Sequence, residues 1–190
     1  TEVIAAARQI GFPVVLKGVG PKILHKTESG MVQLGLASAD SVIEKAVEMS
    51  AAEDLPVEGF LVQPQLRGRR EFVTGIKRDP MFGPVVLFGL GGIFTEVLSE
   101  VVIKIAPLAE SDIDAMLDEF SSKELLGPFR GEAGVDLVKL RRTLKALSEM
   151  AIEHPEIKEI DINPLLIEPD GSPVAVDGLI ITAAPEKIIK

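Results

Sequence analysis

Two short apolar runs late in the chain, Ile160 to Leu165 and Val174 to Leu179, constrain its fold more than any other stretch. They bracket oxygen-bearing side chains: Asp161 and Asn163 in the first run, Asp177 in the second. Glu168-Pro169-Asp170-Gly171-Ser172 lies between them, with the proline and glycine of a reversing turn. Two strands joined there set those oxygens side by side. Asn163 then offers a neutral ligand and Asp177 an anionic one. That pair suits a hard cation such as magnesium, with phosphate oxygens and water completing its shell. A plain surface hairpin, whose Asn-Pro and Asp-Gly pairs merely form turns, accounts for the same residues. The rest of the chain has to decide.

Upstream, strands and helices alternate. Glu2 to Ile10 has apolar residues at helical spacing, and Gly11 stops it. Pro13 to Lys17 reads as a buried strand and Met31 to Leu36 as a second. Ser38 or Asp40 caps a helix running through Ala52. Phe60 to Gln63, Glu71 to Lys77, Pro84 to Phe88 and Val101 to Ile105 read as further strands. Ser111 to Phe120, N-capped by Ser111, and Leu137 to Ile152 read as amphipathic helices. Gly127 to Gly134 is the loosest internal stretch, a candidate mobile element or linker. The whole is a mixed α/β (α+β) domain. Thr1 falls inside a helical pattern with no initiator Met before it, so the chain reads as part of something longer.

Charge narrows the partners. Twenty basic against 29 acidic residues leave a net −9, which argues against a nucleic-acid surface. It leaves nucleotide binding open, because one lysine and one metal ion hold a triphosphate locally. There is no cysteine, which excludes disulfides, thiolate zinc and a cysteine nucleophile, and which fits a cytoplasmic protein. No apolar run reaches the roughly 18 residues of a membrane span, so no membrane partner is expected.

Several residues carry chemistry in more than one way. Lys17, at the end of a buried strand and before Gly18, either binds phosphate oxygens or snorkels from an edge. Gly89-Leu90-Gly91-Gly92 follows a strand, where backbone N–H groups approach anions closely; a tight turn needs the same glycines. His25 lies in a polar loop, Leu24 to Gly30, and a neutral imidazole there attacks phosphorus readily, though most loop histidines do not. His154 reads as a solvated helix end. Arg67, Arg69 and Arg70 read as a solvated basic turn or as a patch near phosphates or a partner domain. Glu71 is an acid opening an apolar strand, where a ribose hydroxyl satisfies it.

Taken in order, the pieces resemble one family. They are Phe12 to Lys17, His25-Lys26, Val62-Gln63-Pro64, Glu71 to Gly75, Asp79 to Pro84, Phe88 to Val97, Arg130-Gly131, Glu159 to Leu165 and Val176-Asp177. That series resembles the ATP-grasp domain of ADP-forming acyl-CoA synthetases, the β part of enzymes related to succinyl-CoA synthetase. The resemblance implies an ATP-grasp fold of two lobes with mixed sheets flanked by helices, about 1–62 and 63–190, gripping ATP or ADP with Mg2+. It places the family's opening strand and helix before Thr1. It implies interconversion of acyl-CoA, ADP and phosphate with acid, CoA and ATP through phosphohistidine. The CoA-binding and phosphohistidine domains then lie on the same enzyme or a separate subunit, within an oligomer.

Residue by residue, the resemblance gives Lys17 the α- and β-phosphates and has Gln63, Gln65 and Leu66 border the adenine. Glu71 matches the ribose-binding acid, and Asn163 and Asp177 match the magnesium ligands. Asp161 sits where an acid lies near the phosphohistidine, and His25 matches a phosphoryl-shuttling histidine. Gly91, Gly92 and Glu96 line the same region. Two departures stand out: Gly30-Met31-Val32 replaces a usual Gly-Gly-Val, and Gly127-Pro128-Phe129 leads into Arg130. A regulatory copy of this domain fused to a protein lysine acetyltransferase is the alternative. An ATP-dependent carboxylate–amine ligase shares the grip but not the His-Lys loop, and ranks last.

Overall fold

The computed structural model describes residues 2–21, 23, 29–52, 54–92 and 100–183. The chain divides into two compact units, Thr1–Leu66 and Arg67–Lys190, each with its own core.

The first unit runs α1 (Glu2–Ile10), β1 (Val14–Val19), β2 (Val32–Leu36), α2 (Ala39–Ser50) and β3 (Gly59–Pro64). Gly11 closes α1 at a φ of 90°, its N–H reaching the Ala7 carbonyl at 3.0 Å. Ser38 caps α2 by accepting from the Ser41 N–H at 3.2 Å. β1 is the central strand of an antiparallel sheet ordered β2-β1-β3. Val14 and Leu16 pack with Ala7, Val42 and Met49, while Val15 and Lys17 alternate to the other face. Met31, the departure noted above, turns into this core. Its carbonyl accepts from the Gly18 N–H at 3.0 Å, and its sulfur lies where a Cβ on Gly18 would meet it at 3.2 Å.

The second unit runs β4 (Arg70–Asp79), β5 (Gly83–Leu90), β6 (Val101–Ile105), α3 (Glu110–Glu119), a short 3-10 turn (Lys123–Leu126) and α4 (Leu137–Glu153). It ends with β7 (Ile157–Ile167), β8 (Pro173–Ala175) and β9 (Gly178–Thr182). The sheet order is β6-β5-β4-β7-β8, with β9 pairing another stretch of β7. All pairings described are antiparallel, which refines the expected mixed sheets. A tight turn enforces it at the β4–β5 hairpin. There Asp79 Oδ1 accepts from the N–H groups of Met81 and Phe82 at 2.8 and 2.9 Å.

Helices α3 and α4 cover one sheet face, burying Met116, Leu140 and Leu144 against Phe72, Ile76 and Phe88. Phe72, Phe88 and Phe120 form a mutual aromatic cluster with centroids 5.3–5.8 Å apart. Two sequence expectations need correction. Ser111 does not cap α3: the helix starts at Glu110, and Asp112 reaches back to accept from the Ala109 N–H at 2.8 Å. An acid at the third helical position does that work whatever precedes it. Nor is Gly127 to Gly134 a linker, since the unit boundary lies elsewhere and the segment is tied down. Arg70 donates to the carbonyls of Leu125, Gly127 and Ala133, and Ala133 donates to the Pro169 carbonyl at 2.9 Å. Among the described residues no helix is long and apolar enough to cross a membrane.

Candidate functional site

β7 builds the site in the second unit. Ile160 and Leu165 pack into the core, so Asp161, next to Ile160, takes the other face, opposite Gly75 of β4. Between Phe72–Leu165 and Thr74–Ile162 the register slips. Asn163 and Pro164 therefore oppose the single residue Val73. Such a bulge re-aims a side chain out of the ladder. The partner on the other edge breaks at the same level. β8 ends at Ala175, Val176 donates to the Pro164 carbonyl at 3.1 Å, and Gly178 pairs with Ile162. Asp177 thus occupies the break between β8 and β9, level with Asn163. The turn expected at Glu168 to Ser172 closes this arm, with Gly171 donating to the Glu168 carbonyl at 2.8 Å.

Glu71 and the glycines come in from β4 and β5. Gly91 donates to the Glu71 carbonyl at 2.9 Å, and Gly92 donates to Asn163 Oδ1 at 3.4 Å. A Cβ on Gly91 would fall 2.6 Å from the Phe72 carbonyl. One on Gly92, at φ 68°, would fall 2.4 Å from Glu71 Oε2. Only glycine lets this turn lie against β4 with a carboxylate beside it. Glu71, Gly91, Gly92 and Asn163 are therefore one neighbourhood, with Asp177 level with Asn163.

The donor set fits a hard cation in part. Asn163 and Asp177 supply two oxygens, and the described residues contain no group of three or more His, Cys, Asp or Glu that would hold a metal unaided. A cation taken here would need further oxygens from a ligand and water.

In the first unit Lys17 is 2% exposed, pairing across the ladder with Val32 and Leu61. Gln63 pairs with Val15 on β3. Gln65 is occupied structurally: its Oε1 accepts from the Gly35 N–H at 2.9 Å and its Nε2 donates to the Leu66 carbonyl at 3.3 Å. Leu66 is half-buried. His25 and Glu96 lie outside the described residues. His154 ends α4, exposed, with Nδ1 3.1 Å from Glu156 Oε1.

Arg70, in a cluster that reads from sequence as a solvated turn or as a patch near phosphates or a partner domain, is neither: it is buried. Its carbonyl acceptors come from residues more than 50 positions away, which no local pattern announces. Glu132, its ion-pair partner at 3.5 Å, was not singled out either.

A sequence profile of the ATP-grasp domain matches residues 1–182. The β subunit of ADP-forming acetate–CoA ligase I from Pyrococcus furiosus is 37% identical over 185 residues, covering 95% of this chain and 79% of that protein. The ADP-forming 4-hydroxybutyrate–CoA ligase of Nitrosopumilus maritimus is 36% identical over 175 residues, covering 90% of this chain but 25% of the ligase. This chain thus spans a quarter of that enzyme's length. Among solved structures, the dinucleotide-forming acetyl-coenzyme A synthetase 1 of Ca. Korarchaeum cryptofilum superposes with a TM-score of 0.82 at 37% identity. The match covers 96% of this chain and 82% of that one. That structure holds coenzyme A and Mg-AMPPCP, with a phosphohistidine segment pointing towards its nucleotide site. Profile, relatives and fold agree, and the chain belongs to the ATP-grasp domains of the ADP-forming acetate–CoA ligase family.

Proposed function

We propose that this chain is the nucleotide-binding part of an ADP-forming acid–CoA ligase. In that enzyme acyl-CoA, ADP and phosphate interconvert with acid, CoA and ATP through phosphohistidine. The observation that carries the reading is the meeting of the Glu71 carboxylate, the Gly91-Gly92 turn and Asn163, with Asp177 level with them, in a family of CoA ligases.

Each side chain then has a defined task. Lys17 places a fixed positive charge against the α- and β-phosphates. Gln63, Gln65 and Leu66 border the base, and Glu71 accepts from ribose hydroxyls. Gly91 and Gly92 keep the turn thin enough for the nucleotide to lie against it. Asn163 and Asp177 hold Mg2+, which when bound offsets phosphate charge. Asp161 faces the imidazole that carries the phosphoryl group and orients it. His25 passes that group on to the nucleotide. The relatives named above are CoA ligases, which favours this reading over a regulatory module of an acetyltransferase.

The test is a pair of titrations with a catalytic control. Asp177→Asn weakens Mg-ATP binding at least tenfold and leaves metal-free ATP binding unchanged. Equal shifts in both titrations would make Asp177 structural. The complete protein makes ATP from acyl-CoA, ADP and phosphate; failure to do so with any acyl-CoA tried would remove the ligase assignment.

A further inference from the structure

Among the described residues, Arg130 is the one non-glycine residue with positive φ, at 46°. Gly131 follows at 87°, and Phe129 and Glu132 exchange both backbone bonds across them, at 3.2 and 2.9 Å. Two consecutive positive φ values between bonded flanks define a tight hairpin turn. Its first corner ordinarily takes asparagine, aspartate or glycine, because a longer side chain is strained there. Such strain persists only where the surroundings over-determine it, and it tends to mark a functional position.

The surroundings here do so. Arg70 beneath the turn donates to Leu125, Gly127 and Ala133, and Val135 donates back to the Leu126 carbonyl at 2.8 Å. Glu132 is 9% exposed, with Arg70 Nε at 3.5 Å and Arg69 Nε at 3.9 Å. The turn is a rigid post. Arg130 stands on it exposed, its guanidinium carbon 5.2 Å from the Phe129 ring centroid. Among the described residues it has no ion-pair or hydrogen-bond partner. The contact with the Phe129 ring restrains an otherwise exposed guanidinium, whose planar N–H fork suits a carboxylate.

Arg69, 68% exposed and 3.9 Å from Glu132, enters β4 beside this turn. Two acids near the turn have partners of their own. Glu132 lies against Arg69 and Arg70, and Glu168 accepts from the backbone N–H groups of Arg67 and Gly68 at 2.9 and 3.1 Å. Arg130 thus stays an exposed cation with no ion-pair partner among the described residues, on a chain of net charge −9. Charges on an exposed rim steer and orient a macromolecular partner more than they grip a small ligand.

We propose that Arg130, beside Arg69, is a docking point for a carboxylate on the CoA-binding part of the same ligase. The inference rests on the ligase reading above, in which such a part accompanies a chain that spans 25% of a fused relative and resembles a separate β subunit. The forked guanidinium takes a planar carboxylate through two parallel bonds, which fixes orientation as well as contact.

The experiment uses the complete protein and two variants. Arg130→Lys installs a primary amine, which a water-soluble carbodiimide couples to a carboxylate in direct contact. The expected product is an amide joining the 129–132 turn to an Asp or Glu of the CoA-binding part, located by mass spectrometry. Coupling confined to residues 1–190, or none, overturns the proposal. Arg130→Gly removes the side chain and suits the positive φ, so the melting temperature holds or rises. Its acyl-CoA-dependent ATP formation falls tenfold or more while ATP affinity stays unchanged. Unchanged turnover, or a loss of ATP affinity instead, also overturns it. A parent protein that makes no ATP at all counts against the ligase reading, and the coupling result then decides the docking on its own.

Discussion

Glycine at position 92 is the tightest point of the candidate site. Gly92→Ala places a methyl 2.4 Å from Glu71 Oε2 at a φ of 68°. The backbone strain costs about 1–2 kcal/mol, and the carboxylate, being the end of a flexible side chain, swings aside. We expect a modest fall in melting temperature and a loss of ATP affinity close to that of Glu71→Ala. The double variant is then no weaker than either single one, which calorimetry on all four proteins resolves. Lys17→Ala is expected to weaken ADP or ATP binding by one to two decades, about 1.5–3 kcal/mol for a charge-assisted contact. Unchanged affinity in the folded variant removes Lys17 from the phosphate site. Asn163 and Asp177 were legible as a pair from the apolar runs around them. The glycine–carboxylate contact was not, because Gly92 and Glu71 meet only once β4 and β5 pair.

At the scale of elements, the clamp under the 122–136 segment is the most exposed to failure. Arg70→Ala removes the donor to three carbonyls and strands Glu132 with only a distant, exposed Arg69. Breaking such a buried pair costs about 3–5 kcal/mol. Glu132→Gln costs less, about 1 kcal/mol, because Glu132 Oε2 makes no hydrogen bond. Urea melts of both variants order them; equal costs would show that charge balance, not the carbonyl bonds, holds the segment. Elements with strong internal signals were legible to the residue, as with Glu2–Ile10 before Gly11 and the β-branched run Val101–Ile105. Less was visible where a partner distant in sequence decides the outcome. The expected strand Val174 to Leu179 splits into β8 and β9 because β7 bulges at Asn163-Pro164 opposite it. The stretch Gly127 to Gly134 looked loose because its restraint comes from an arginine on β4.

Across the molecule, several surface carboxylates share one electrostatic sign. Backbone N–H donors hold Asp79, Asp136, Glu156 and Asp170 below the usual carboxylate range. A lowered folded-state value means stability that is complete above the unfolded value near 4 and is lost as pH falls through the folded one. The melting temperature should therefore be level from about pH 7 to 5 and fall below about pH 4. Asp136 also caps α4, accepting from the Lys139 N–H at 3.1 Å. Asparagine caps as well as aspartate but does not titrate. Asp136→Asn should leave the pH 7 melt nearly unchanged and make the acid limb shallower; an unaltered limb would acquit this carboxylate.

The central pairing of β4 with β7 also governs when the protein becomes competent. Arg70–Asp79 finds its second neighbour, Ile157–Ile167, only after two helices have been made, and Asp177 follows still later. On the ribosome, the β4–β5 hairpin waits with one flank unsatisfied while those helices emerge, open to chaperones and to mispairing. Long-range antiparallel closure of this kind is slow, on the order of milliseconds to seconds. A nascent chain stalled before Pro173 already has most of its hydrophobic core yet lacks Asp177, so nucleotide capture would be among the last properties to mature.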